Sequence, residues 1–518
     1  MELLGVLNVF DPASLLILLG ISLLTFLIKY TITQCQRDPR MVKFAKTLPG
    51  PPALPLVGNS LKFHSKEDPV KLAVEYNRKY GDTYRLWLSK YLAITFCNVD
   101  DLENIFMNSK MLKKPKLFQP LQDFFGDGIL ITSSIPKWKK HRKYFFPVLS
   151  RNALPRYTSI INEKTELVAK KMQDLVDGPE FDAWDYMPNL AFDIILKSMM
   201  NVDLDWNDSS LLQYYNASLE GLDICFRKVL SPWLQHKVID YFLYKKKSQT
   251  HRRTAEEFLR KLIEEKKHEI LSEIEAHKTT VGANPEDVPA KRFLTLAYEL
   301  ADSENDENSM LDELIIILAG GTDPALVTSL FLLMVAMHPD IQDKLYDELY
   351  EIFGDSDRPA DENDVERLLY LDQVIKETLR RFPIPMILRE AEEDVKIGDR
   401  IIPANTIVIV SISAVHLNPK YYPDPWKFNP DNFSPENVGK RPKLAFLAFS
   451  AGPRMCLGYN FGMLETKLTL SALLRKFTFY TNMKLEDVYT DNGFAMTSVN
   501  GYKLSITSRV RKPSYLKK

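Results

Sequence analysis

Phe449-Ser450-Ala451-Gly452-Pro453-Arg454-Met455-Cys456-Leu457-Gly458 sets one cysteine in a glycine-punctuated loop that runs straight into a helical pattern. Leu457, Phe461, Leu464 and Leu468 fall at helical spacing, which predicts that Cys456 lies at a helix N-terminus. Unpaired backbone N–H groups and the helix dipole favour an anion there, so a thiolate is expected to be stabilised. Gly452 and Gly458 lack a Cβ, which permits φ > 0 and lets a large planar group approach the backbone closely. Arg454 is spaced to pair with a carboxylate on such a group.

Phe449-x-x-Gly452-x-Arg454-x-Cys456-x-Gly458 resembles the haem-thiolate signature of the cytochrome P450 superfamily and matches its fixed positions. The resemblance implies that Cys456 is the axial ligand of haem b iron, with Phe449, Gly452 and Arg454 against the cofactor. Thiolate donation favours O–O cleavage over reversible oxygen binding. A mainly α fold with a small β part follows from the same resemblance, with haem held between a long central helix and the helix after the cysteine loop.

The formal net charge of −1 gives no global argument for nucleic acid as a partner. Cys35, Cys97, Cys225 and Cys456 are widely spaced without a Cys-x-x-Cys pair, which fits a reducing cytosolic environment better than a disulfide framework or a zinc site. The N-terminus differs from a soluble protein. Pro12 to Ile28 is uncharged and rich in Leu and Ile, a run of about 17 residues, or roughly 25 Å of helix. Lys29, Arg37, Arg40, Lys43 and Lys46 follow it, against Glu2 and Asp11 before it, so the basic side is expected to stay cytosolic. We read residues 1–30 as a membrane anchor, 31–60 as a basic and proline-rich linker, and 61–518 as the catalytic domain. The linker's Leu48-Pro-Gly-Pro-Pro52 and Leu54-Pro-Leu-Val-Gly58 resemble the hinge of microsomal cytochromes P450, which implies the endoplasmic reticulum membrane.

Tyr84–Leu88 and Ala93–Cys97 read as short strands, and Pro136 opens a helix. Trp138 and Arg142, four apart, share one face of it; the resemblance assigns both to a haem propionate. Lys139, Lys140 and Lys143 on the same helix are either a solvated face or a docking patch for an acidic electron donor. The apolar stripe within Gln249–Ala276 predicts a half-buried helix, and Thr279–Asn308 reads as mostly exposed connection.

Ser309-Met-Leu-Asp312 reads as a capping box, and the apolar run from Leu314 to Met337 predicts a helix through the protein centre. Its middle, Ala319-Gly320-Gly321-Thr322-Asp323-Pro324-Ala325, resembles the family's small-Gly-x-acid-Thr-Thr segment, but Pro324 and Ala325 replace both threonines. In the family the first threonine helps hold dioxygen and the water that protonates it. Pro324 is expected to bend the helix by removing the bond to the Gly320 carbonyl. That carbonyl and Asp323 are the catalytic candidates, organising a water in place of the alcohol. The chain resembles the animal and insect fatty-acid-hydroxylase-related clan of the family, which often carries a haem-attaching glutamate where this chain has Gly320, so no ester link is expected.

Glu377-x-x-Arg380 puts a carboxylate and a guanidinium on one helix face. It resembles the family's structural brace, with Asn432 where the third member is often arginine. Arg389, in the extended Pro383–Arg389 stretch, is implied to hold the second propionate, while Met386, Ile387, Phe118, Phe124, Phe125 and Phe494 are pocket candidates. The implied activity is insertion of one oxygen atom from O2 into a hydrophobic lipid, hormone-like compound or xenobiotic. The resemblance also implies electrons from NADPH through NADPH-cytochrome P450 reductase, with cytochrome b5 as a second donor, and no Gly-x-Gly-x-x-Gly nucleotide motif is present in this sequence. Two rivals stay open: a haem-thiolate lyase or isomerase of oxidised lipids that needs neither O2 nor reductase, and a non-enzymatic haem or ligand-binding protein.

Overall fold

The computed structural model describes residues 15–22, 25, 29, 36–64, 69–206, 209–279, 291–488, 498–510 and 512–513. Helices dominate, with three small sheets. Those that position the site are α1 (Ile135–Leu149), α2 (Pro155–Gln173), α3 (Met187–Met200), α4 (Lys246–Thr279), α5 (Phe293–Glu304), α6 (Glu307–Gly320), α7 (Asp323–Met337), α8 (Leu369–Arg381) and α9 (Tyr459–Lys476).

α1 begins as expected: Ser134 caps it by accepting from Lys137 N, and Pro136 occupies the first turn, where a missing N–H costs nothing. α4 spans the predicted stripe and extends beyond it at both ends. α5 corrects the sequence reading, which took this stretch for connection. Phe293, Leu294, Ala297, Leu300 and Ala301 form a buried stripe that the flanking polar residues obscure, and Phe293 stacks on Phe145 of α1 at 4.4 Å. The cap of α6 also moves: Asp306 accepts from Asn308 N, while Ser309 Oγ donates back to Glu304.

The predicted central helix is two helices. α6 ends at Gly320, and Gly321 and Thr322 turn before α7 starts at Asp323. Pro324 therefore sits in the first turn of a new helix rather than kinking an old one. The pair runs through the core, with α7 packed on α3, α8 and α9, and α9 packed on α2.

One four-stranded sheet runs β1-β2-β7-β4. β1 (Thr83–Leu88) and β2 (Tyr91–Phe96) form a hairpin around Ser89, β7 (Ile407–Ser411) lies parallel to β2, and β4 (Met386–Glu390) closes the edge and carries Arg389. A second sheet joins β3 (Phe181–Asp182), β9 (Lys503–Ser508) and β8 (Phe477–Tyr480), and β5 (Val395–Ile397) pairs β6 (Arg400–Ile402). Within the N-terminal apolar stretch, positions 15–22 are helical with exposed side chains such as Leu16 and Leu19. Much of that stretch, and Phe494, lie outside the described residues.

Candidate active site

The cysteine loop is held by its own backbone. Cys456 N donates to Phe449 O at 3.0 Å, and the Phe449 ring meets Tyr459 edge-on at 4.8 Å. Gly452 has φ 68°, and a Cβ there would lie 2.5 Å from Phe106 O, so both conformation and space demand glycine. Gly458 differs from expectation, with φ −85° as the N-cap residue of α9; the second left-handed position of the loop is Ser450, at φ 64°. A Cβ on Gly458 would meet only Cys456 Sγ, at 4.0 Å, so glycine here keeps the space beside the sulfur open.

The Cys456 side chain is accessible and yet surrounded by protein, which implies a hollow beside the sulfur rather than open solvent. Burial pushes its thiol up to about 11. The N–H groups of Gly458 and Tyr459 and the Arg142 charge pull it down but do not win. The helix terminus alone thus does not supply the expected thiolate, which calls for a cation at the sulfur.

The break between α6 and α7 combines accessibility and enclosure in the same way. Gly320 and Asp323 are accessible in the middle of an otherwise buried helix pair. A Cβ on Gly320 would meet nothing within 4 Å, whereas one on Gly321 would lie 2.5 Å from the Ile195 side chain of α3. Thr322 Oγ1 donates to Ala319 O at 2.7 Å. The Gly320 carbonyl has no helical donor, because the residue four positions on is Pro324. The Asp323 carboxyl is enclosed by protein, and burial pushes it up to about 7. Its charge in turn raises the Cys456 thiol, which puts the two groups within electrostatic reach of each other.

Beside the cysteine, four basic side chains converge. Trp138 is buried, and the Arg454 guanidinium stacks over its ring at 4.2 Å. Arg454 donates to Leu112 O, Ile129 O and Thr132 O at 3.1 to 3.3 Å. Arg142 donates to Met455 O at 2.9 Å, and Arg389, buried on β4, to Leu388 O at 3.0 Å. Burial and the neighbouring Arg389 and Arg142 lower Arg454 to about 9, and burial lowers Arg389 to about 10. Lys114, which the sequence reading missed, lies against Arg389 and Arg454, and burial together with both holds its ammonium well below the usual range. Such a cluster is costly unless anions meet it. A planar group with two carboxylate arms, whose metal takes Cys456 as ligand, satisfies cluster and sulfur together, and the residues present fit haem.

The brace is complete in another form. Arg380 donates twice to Glu377 at 2.7 Å and also to the carbonyls of His416, Pro425 and Lys427. Asn432 Nδ2 reaches both Glu377 oxygens, at 3.2 and 3.3 Å. Arg441 stacks on Tyr422 at 4.7 Å, close to where Arg380 stacks at 4.8 Å, and returns a second guanidinium to the cluster. Burial and Arg380 pull His416 down to about 3, so its neutral Nε2 accepts from Leu447 N at 2.8 Å and links the brace to the cysteine loop.

Among the pocket candidates, Met386, Ile387 and Phe118 are half-buried, but Phe124 and Phe125 are fully buried core, packed edge to face at 5.1 Å. Lys139 and Lys143 are exposed, while Lys140 pairs with Glu304 at 2.6 Å.

The cytochrome P450 family model matches residues 48–505. The chain is 31% identical to cytochrome P450 4c21 of Blattella germanica, covering 91% of this chain and 95% of that one. It is 31% identical to human cytochrome P450 4V2, covering 88% and 89%, and 30% identical to cytochrome P450 4g1 of Drosophila melanogaster, covering 92% and 91%.

Proposed function

The chain belongs to the cytochrome P450 family of haem-thiolate monooxygenases, and from that premise we propose that it inserts one oxygen atom from O2 into an apolar organic substrate with electrons drawn from NADPH. The observation that supports the site assignment is the convergence of three guanidinium groups, those of Arg142, Arg389 and Arg454, beside the loop that presents Cys456. Haem bound there supplies the iron at which O2 is reduced. Cys456 would be its ligand, and Trp138, Arg142, Arg389, Arg454 and Lys114 would hold its carboxylate arms. Asp323 holds a proton at its carboxyl near neutral pH, and the Gly320 carbonyl accepts from a water that this proton reaches. Pro324 offers no hydroxyl to order that water, so proton delivery is less controlled.

An apolar substrate is supported by the half-buried Ile317, Ala319, Met386 and Ile387 on the elements flanking Asp323 and Arg389. Exposed Lys139 and Lys143 support docking of an acidic electron donor, NADPH-cytochrome P450 reductase or cytochrome b5, at the endoplasmic reticulum membrane. The reduced carbon-monoxide spectrum tests the ligand: the purified chain should show the thiolate signature and Cys456→Ser should lose it. Retention of the signature in that variant would reject the assignment. Proton control is read from NADPH consumed against product and hydrogen peroxide formed. Pro324→Thr should raise the product fraction, and a wild-type chain already fully coupled sinks that part of the mechanism.

The missing alcohols at Pro324 and Ala325 favour one second reading, rearrangement of a lipid peroxide without O2 or reductase. Turnover of such a peroxide in the absence of NADPH would establish it.

A further inference from the structure

Glu313 lies on α6 ten residues before Asp323, fully buried, and no step above uses it. Its Oε1 accepts from Ile129 N at 2.8 Å and faces His141 Nδ1 at 2.6 Å. His141 is also fully buried, and its Nε2 faces Glu304 Oε1 at 3.2 Å. Glu304 in turn takes Lys140 Nζ at 2.6 Å and Ser309 Oγ at 2.9 Å. Burial raises the Glu313 carboxyl while the His141 contact opposes it. Charged groups this deep contribute little net stability compared with apolar packing, so the gain from this trio is geometric.

What Glu313 joins are three parts of the cofactor site. His141 lies on α1 between Trp138 and Arg142. Ile129, whose N–H Glu313 holds, presents its own carbonyl to Arg454 Nη1 at 3.3 Å. α6 itself runs on to Gly320 and the break before Asp323. One carboxylate oxygen therefore fixes α1, the loop over Arg454 and α6 against one another.

We propose that Glu313, acting through His141 and Ile129, is a positioning residue that sets Trp138, Arg142 and Arg454 against the carboxylate arms of the cofactor. The inference rests on the haem reading above. Residues that orient primary ligands in this way typically change affinity by about ten- to a hundredfold when removed.

The test is the rate at which the full-length holoprotein transfers haem to excess apomyoglobin, followed with circular dichroism in the Soret band. His141→Asn places an amide nitrogen where Nδ1 sits and keeps the Glu313 contact. His141→Gln reaches the Nε2 position and keeps only Glu304. Release should stay within about twofold of wild type in His141→Asn and rise by about tenfold or more in His141→Gln and Glu313→Leu, with an altered Soret signal. Asp193→Asn, which breaks the buried Lys164–Asp193 pair (3.1 Å) between α2 and α3, controls for general loss of stability and should leave release unchanged. Equal release from the two His141 variants, or equal acceleration by Asp193→Asn, overturns the proposal. A wild-type chain that takes up no haem overturns the haem reading itself, so the two failures are distinguishable.

Discussion

Asp323 is a carboxylic acid whose surroundings shift its protonation into the physiological range. Burial raises it to about 7, so the fold favours the protonated form. The sign follows by linkage: this preference stabilises fully below the ordinary carboxylate range near pH 4 and is lost as pH rises through about 7. Urea midpoints measured from pH 5 to 8.5 should fall with pH more steeply in wild type than in Asp323→Asn; parallel curves would reject the shift. Product formation should decline over the same window in wild type and be low and flat in the variant. Much at this scale could be read from sequence, because Cys456, Gly452 and Asp323 sit in local patterns whose chemistry is set by spacing. Lys114, His141 and Glu313 could not be read, since each acquires its role from a partner distant in the chain. The available signal was weak but real: Glu313 is a carboxylate entering an apolar run at helical spacing, and such a group must find a partner.

The junction of α6 and α7 shows how an element can be read correctly in position and wrongly in continuity. Hydropathy sees one run from Leu314 to Met337, and the break depends on where Gly320-Gly321-Thr322 lets the chain turn. The two glycines then have different reasons to be glycine. Gly321→Ala would push a methyl group into Ile195 of α3 and should cost about 1–3 kcal/mol in denaturant unfolding, as overpacking does. Gly320→Ala meets open space and should stay within about 1 kcal/mol of wild type, the scale of helix propensity. The opposite ranking would mean that the junction packs differently. α5 was overlooked for a related reason: its buried stripe is only 12 residues long and ends in an acidic tail, so composition masked its period. The brace on α8 fared better, because Glu377 and Arg380 are three apart on one helix, while the contribution of Arg441 depends on a loop returning to Tyr422.

At the scale of the molecule, chain order carried the fold. Trp138–Arg142, the acid on the central helix, Glu377–Arg380, Arg389 and Cys456 follow one another in sequence, and the structure gathers Trp138, Arg142, Arg389 and Arg454 around the cysteine. The proposed membrane attachment draws on a different part of the chain. Among the described residues the one segment long and apolar enough to span a bilayer is 307–337, and most of it is buried in the core, so it is committed to the fold. Exposed Tyr241, Phe242 and Leu243 can touch a surface but are far too few to cross it. We propose that stable insertion falls to residues 1–30, a reading supported by the exposed Leu16 and Leu19 in their described part. Deleting residues 2–30 should convert a protein that resists alkaline carbonate extraction from membranes into one that is released by it. The reduced carbon-monoxide spectrum should be preserved, because no residue of the cysteine loop, the cation cluster or the brace lies in the deleted stretch. A truncated chain that still resists extraction would place a second inserting element in the catalytic body, and loss of the spectrum would make the N-terminus part of the fold.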